Sequence, residues 1–148
     1  MNRIETALSH FAQGFNCSQA VLSAYAGQFG LDDETAAKIA SGFGGGMGRM
    51  AETCGAVTGA FMVLGLKYGQ NSPDREAKEM IYARIKDFAS RFQARNRSLN
   101  CQDLLGCDIS TTEGLQQARE AEMFSRICPK FVRDVCEILE EMLHIDQE

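Results

Sequence analysis

Six cysteines are the residues of this chain best suited to chemistry. Four of them stand at sequence signals for the start of a helix. Cys17 follows Asn16, with Gln19 just beyond; Cys54 follows Thr53 and opens the run Cys54-Gly55-Ala56-Val57-Thr58-Gly59. Cys101 follows Asn100, with Asp103 beyond it, and Cys128 precedes Pro129. Asn and Thr are N-cap residues, Gln or an acid three places after the cap reaches back to it, and Pro favours the first helical turn. A thiol placed there faces unpaired N–H groups and the positive end of the helix dipole. Both favour the thiolate, which is the nucleophile and the metal ligand. The dipole alone is worth about 0.3–1 kcal/mol, less than the ~1.36 kcal/mol of one pKa unit. Starting from about 8.5, such a thiol stays mostly protonated at neutral pH unless a cation such as Arg49, or a metal, adds to the effect.

These starts pose a geometric question. If they converge, their positive ends call for something anionic between them, and clustered thiolates in turn repel unless a cation bridges them. Convergence therefore points to an iron–sulfur or zinc centre, or to a disulfide that discharges the thiolates. Cys17, Cys54, Cys101 and Cys128 are accordingly both the candidate catalytic residues and the candidate metal ligands, with the metal version favoured slightly for the reduced protein. In the dithiol version, Cys54 attacks a disulfide or an oxidised thiol and a second cysteine resolves the mixed disulfide. No Cys-x-x-Cys pair exists, so the site must be assembled from distant segments. Cys136 shares an apolar stripe with Val132 and Leu139 and reads as core; Cys107, after Gly106 in a turn, is undecided.

The glycines from Gly42 to Gly48 match neither G-x-G-x-x-G nor a phosphate loop. They read as a flexible loop whose backbone passes close to Cys54. Gly44, Gly45, Gly46, Gly48 and Gly55 are the candidate cofactor contacts, and Arg49 and Glu52 are expected to tune Cys54 in opposite directions. His10 and His144 lack companions at ligand spacing and read as surface or capping residues. Without G-x-S-x-G or H-E-x-x-H, hydrolase chemistry has little support.

The elements that hold these residues are helices. Ile4, Ala7, Leu8 and Phe11 recur at helical spacing, as do Ala20, Val21, Ala24 and Tyr25 in a stretch from Cys17 to about Phe29. Asp32-Asp33 caps a segment through Ala36, Ala40 and Phe43. Cys54 to Tyr68 is apolar all round up to Lys67 and belongs at the centre of a bundle. Ser72-Pro73 opens the longest helix, with Ala77, Met80, Ile81, Ile85, Phe88 and Phe92 on one face. Thr111-Thr112 caps a helix through Leu115, Ala118 and Phe124, and the last helix carries Phe131, Val132, Val135, Leu139 and Leu143. The fold expected is an all-α, single-domain bundle of about seven helices spanning 1–148.

A net charge of -5 argues against nucleic acid as a partner. Arg91, Arg95 and Arg97 sit near a helix C-terminus and read as charges complementing that end rather than as a binding patch. The uncharged stretch from Thr53 to Leu66 is too short to span a membrane, and no secretory signal is visible, so the cytoplasm is the expected compartment. There thiols stay reduced, bind metal or cycle.

The order Cys17, then Cys54-Gly55-Ala56-x-x-Gly59, then Cys101, then Cys128 resembles the C_GCAxxG_C_C family of redox-active proteins. Phe15-Asn16-Cys17-Ser18-Gln19-Ala20-Val21, Gly44-Gly45-Gly46-Met47-Gly48 and Cys101-x-x-Leu104-Leu105-Gly106 are similar to its members too. Cys107 and Cys136 lie outside the pattern. The resemblance implies a small bacterial or archaeal protein with a redox role and brings no substrate. The function expected is a cysteine-based redox protein whose partner is a redox protein or a small thiol or disulfide, with a homodimer as a possibility. The alternative is a helical binding or scaffold module with buried structural cysteines, and last a small-ligand sensor beside the glycine loop.

Overall fold

Capping and hydrophobic period together set the elements. The computed structural model describes residues 1–145. Its helices are α1 (Arg3–Ala12), α2 (Cys17–Ala26), α3 (Asp33–Ala40), α4 (Gly44–Met47), α5 (Gly55–Tyr68), α6 (Arg75–Asn96), α7 (Cys101–Leu105), α8 (Thr112–Glu120), α9 (Met123–Arg126) and α10 (Cys128–Leu143). A single 3-10 turn, Gly27–Phe29, extends α2. The fold is all-α, as expected. Among the described residues the only β pairing is an isolated bridge between Thr53 and Asn100. The seven longer helices (α1, α2, α3, α5, α6, α8 and α10) are the expected bundle; α4, α7 and α9 are single turns between them. No helix among the described residues is long and apolar enough to cross a membrane.

Several boundaries differ from expectation. The long helix α6 is capped by the Asp74 side chain, which accepts from the Ala77 N–H, so Ser72-Pro73 lies outside it. Met80 is 51 % exposed and leaves the stripe formed by Ala77, Phe88 and Phe92. Helix α8 stops at Glu120; Glu122 turns left-handed (φ 54°), so Phe124 belongs to α9. Helix α3 ends at Ala40, short of Phe43.

Helix α5 is buried along Gly55, Ala56, Val57, Thr58, Gly59, Ala60, Val63 and Leu64, the central position its all-round apolarity requires. It packs on α2, where a Cβ on Gly59 would stand 2.9 Å from the Ser18 carbonyl oxygen. Only glycine lets the two backbones approach so closely. Helix α10 closes the core with Val132, Val135, Ile138 and Leu139. Cys136 is fully buried among them, as expected. Arg95 stands in the last turn of α6, as expected, and also bonds Glu137 (2.7 Å) and Asp134 (3.4 Å), while Arg91 bonds Glu141 (3.3 Å), so these arginines tie α6 to α10 as well.

Candidate functional site

One short backbone ladder and one helix crossing bring three helix starts to one place, where the start of α10 joins them. The chain entering α5 runs antiparallel to the chain entering α7. The Cys54 N–H donates to the Leu99 carbonyl (2.8 Å), the Cys101 N–H to the Glu52 carbonyl (2.6 Å) and the Gln102 N–H to the Ala51 carbonyl (3.3 Å). Cys54 and Cys101 are thereby set side by side. Helix α2 arrives by its glycine crossing with α5: a Cβ on Gly55 would meet the Phe43 oxygen at 2.9 Å and the Ser18 nitrogen at 3.3 Å. Cys17, one residue before Ser18, is delivered next to Cys54. Cys128, the first residue of α10, is buried in a second apolar cluster with Cys101, Cys107, Leu105 and Ile109.

Three of the four starts follow their sequence signals. Asn16 and Gln19 form a complete capping box at α2. Asn100 caps α7 by accepting from the Gln102 N–H, while Asp103 takes the Ser98 hydroxyl instead of reaching back. Pro129 stands in the first turn of α10. The fourth departs: Cys54, not Thr53, occupies the N-cap of α5. Its sulfur makes no capping hydrogen bond, but the N–H groups of Ala56 and Val57 face it closely enough to favour the thiolate.

The four cysteines line a single cavity of about 670 Å³. Phe11, Phe15, Phe124 and Phe131 form its apolar wall, and Gly44, Gly45, Gly46, Gly48 and Gly55, the expected cofactor contacts, line it as well. The aromatic wall was not legible in the sequence, where these residues look like any core aromatic; only Phe15, directly before the Asn16 cap, stood near a signal.

Burial decides the protonation of most of these thiols. It pushes Cys54 up to about 11, against the Ala56 and Val57 N–H groups, and Cys101 up to about 12, with the neighbouring cysteines adding to the rise. Cys17 and Cys128 interact and are shifted in opposite directions. Cys17 is held well above the ordinary thiol, first by its interaction with Cys128 and then by burial. Cys128 is lowered by that interaction, against its own burial. Cys128 is therefore the thiol this site most favours as thiolate, rather than the expected Cys54. Neither Arg49 nor Glu52 is among the groups that set Cys54, contrary to expectation. Three of the four thiols are thus held toward their neutral form. Among the described residues no group of three or more His, Cys, Asp or Glu side chains is arranged to hold a metal ion.

The glycine segment is an ordered element rather than a flexible loop. Gly45, Gly46, Met47, Gly48 and Arg49 are all left-handed, with φ between 61° and 71°. The Ala51 N–H donates to the Gly45 carbonyl (3.2 Å) and the Glu52 N–H to the Gly46 carbonyl (2.9 Å). A left-handed residue other than glycine costs about 1–2 kcal/mol, so glycine supplies three of these five positions. Gly46 has a second reason: a Cβ there would lie 2.5 Å from the Glu52 nitrogen. The segment does pass close to the Cys54 helix start, as expected, through the Phe43–Gly55 contact.

The arrangement has a counterpart among known sequences. The family model C_GCAxxG_C_C, described as "putative redox-active protein", matches residues 15–142. The chain belongs to the C_GCAxxG_C_C family. No curated protein and no solved structure matches it. In this C_GCAxxG_C_C protein the four cysteines expected from the sequence are the four that line the cavity. Cys107 lies beside them but donates to the Gly114 carbonyl (3.0 Å) and does not line it.

Proposed function

We propose that this protein is a thiol redox protein in which Cys128 and Cys17 form the working couple. The observation that carries this reading is the placement of both cysteines on the wall of one cavity, where each shifts the protonation of the other. That mutual shift supplies the asymmetry that exchange requires: one thiol shifted toward thiolate, its neighbour holding a proton.

The Cys128 thiolate attacks one sulfur of a disulfide R–S–S–R′. The Cys128–S–R bond forms, the S–S bond breaks, and R′S⁻ leaves with the electron pair and takes up a proton. Once Cys128 carries no charge, the largest of the causes that hold the Cys17 proton is gone, and Cys17 passes that proton to solvent as it attacks. Its thiolate attacks the Cys128 sulfur, the Cys17–Cys128 disulfide forms, and RS⁻ leaves and is protonated. Two electrons pass from the pair to the substrate, and a dithiol reductant reverses the sequence. Cys54 and Cys101, held as neutral thiols, complete the wall.

Thiol counting under native conditions tests this reading. Anaerobically reduced protein treated with a disulfide reagent is expected to lose two thiols rapidly before any unfolding. Thiols that react only in denaturant would overturn the couple and favour the scaffold reading.

A further inference from the structure

We propose that the substrate is a small disulfide bearing a carboxylate, held by that carboxylate on Arg49. The proposal rests on the reading of Cys17 and Cys128 as the redox couple and adds the substrate's size and charge. Size follows from the cavity. Its volume of about 670 Å³ lies in the range of small-molecule sites, roughly 300–1,000 Å³. Cys54, Cys101 and Cys128 are only 6 %, 8 % and 8 % exposed. Cys17 is only partly buried, but Cys128, the attacking sulfur, is buried, which favours a small molecule over a disulfide on the folded surface of another protein. The phenylalanine wall suits the methylene groups beside its sulfur atoms.

Charge follows from Arg49. It is the one charged side chain among the residues that line the cavity, and it is exposed. Among the described residues no acid pairs with it, so its guanidinium is open to an anion at the cavity rim. The left-handed run that ends at Arg49 (φ 62°) sets its backbone at this rim, and its side chain lies over Gly45. The protein's net charge of -5 repels anions at long range. Within a Debye length of about 8 Å at physiological salt, the guanidinium beside the cavity outweighs those remote charges.

Three disulfides of similar length separate the possibilities: dithiodipropionate (dianionic), hydroxyethyl disulfide (neutral) and cystamine (dicationic). Each rate of thiol loss is divided by the rate with free N-acetylcysteine amide, a neutral thiol, which removes intrinsic reactivity without adding a charge preference. The dianion is expected to exceed the neutral probe by about tenfold, which corresponds to about 1.4 kcal/mol, with cystamine slowest. Arg49→Gln is expected to bring the dianion-to-neutral ratio close to one, and Arg49→Lys to keep most of it. Unfolded chains would pull the ratio toward one, so the folded fraction of each variant is measured by circular dichroism and only variants as folded as the parent are compared. A wild-type ratio near one with fast reaction of all three probes, or a ratio unchanged in Arg49→Gln, would overturn the charge assignment and leave the couple standing. Failure of every probe to outpace its reaction with N-acetylcysteine amide would overturn the couple and the substrate together.

Discussion

Two alanine substitutions in the same helix should act with opposite sign. A Cβ at Gly65 meets nothing within 4 Å, and α5 is helical there. Gly65→Ala removes backbone freedom from the unfolded chain without a clash, so it should stabilise by about 0.5–1 kcal/mol. At Gly55 the same Cβ stands 2.9 Å from the Phe43 oxygen, 3.3 Å from the Gly44 Cα and 3.3 Å from the Ser18 nitrogen. These are backbone atoms of two other segments, so no side chain can rotate away. Overpacking costs about 1–3 kcal/mol; set against the propensity gain, Gly55→Ala should destabilise by about 1–2 kcal/mol. The displacement falls between α2 and the left-handed segment, the two pieces that face Cys54, so thiol exchange should slow as well. Urea unfolding with unchanged slope measures the stability difference, and the native thiol-loss rate measures the site. If Gly55→Ala proves as stable and as reactive as the parent, close backbone approach is not what positions Cys17 against Cys54.

Three further outcomes are expected. Iodoacetamide at neutral pH should label Cys128 before Cys54 and Cys101; Cys17→Ala should slow that labelling by removing the donor, and Cys17→Ser, which keeps one, should not. Stability should fall as pH rises above about 9. Cys54, near 11, and Cys101 and Cys136, both near 12, keep protons in the folded state that the unfolded chain releases earlier, and melting temperature against pH would show the loss across that window. Cys136→Ala should cost about 1–2 kcal/mol through a small cavity, yet leave native thiol exchange at the parent rate; an altered rate would place Cys136 in the couple.

The helices were legible because their signals are local. Asn16 with Gln19, Asp32, Asn100 and Thr111 all cap where their sequence neighbours indicated. The all-round apolarity of α5 correctly put it at the centre. What could not be read was set by contacts between distant segments. The Cys54–Leu99 and Cys101–Glu52 bonds form one short ladder with no alternating strand to announce it. Cys54 differs from Cys128 in its neighbours, not in its sequence setting: one is surrounded by buried groups, the other is lowered by its interaction with a residue 111 positions earlier (128 against 17). The glycines from Gly42 to Gly48 suggested freedom, yet their density reflects a left-handed turn that other residues adopt at a cost.

The most direct measurement is a disulfide map of the native protein by mass spectrometry, after mild oxidation and with metal content determined on the same sample. If Cys17 and Cys128 are the couple, the peptides around them are joined, Cys54 and Cys101 remain thiols, and bound metal stays far below one ion per chain. A bridge between any other pair, or iron or zinc near stoichiometry protecting all four cysteines from oxidation, would contradict it.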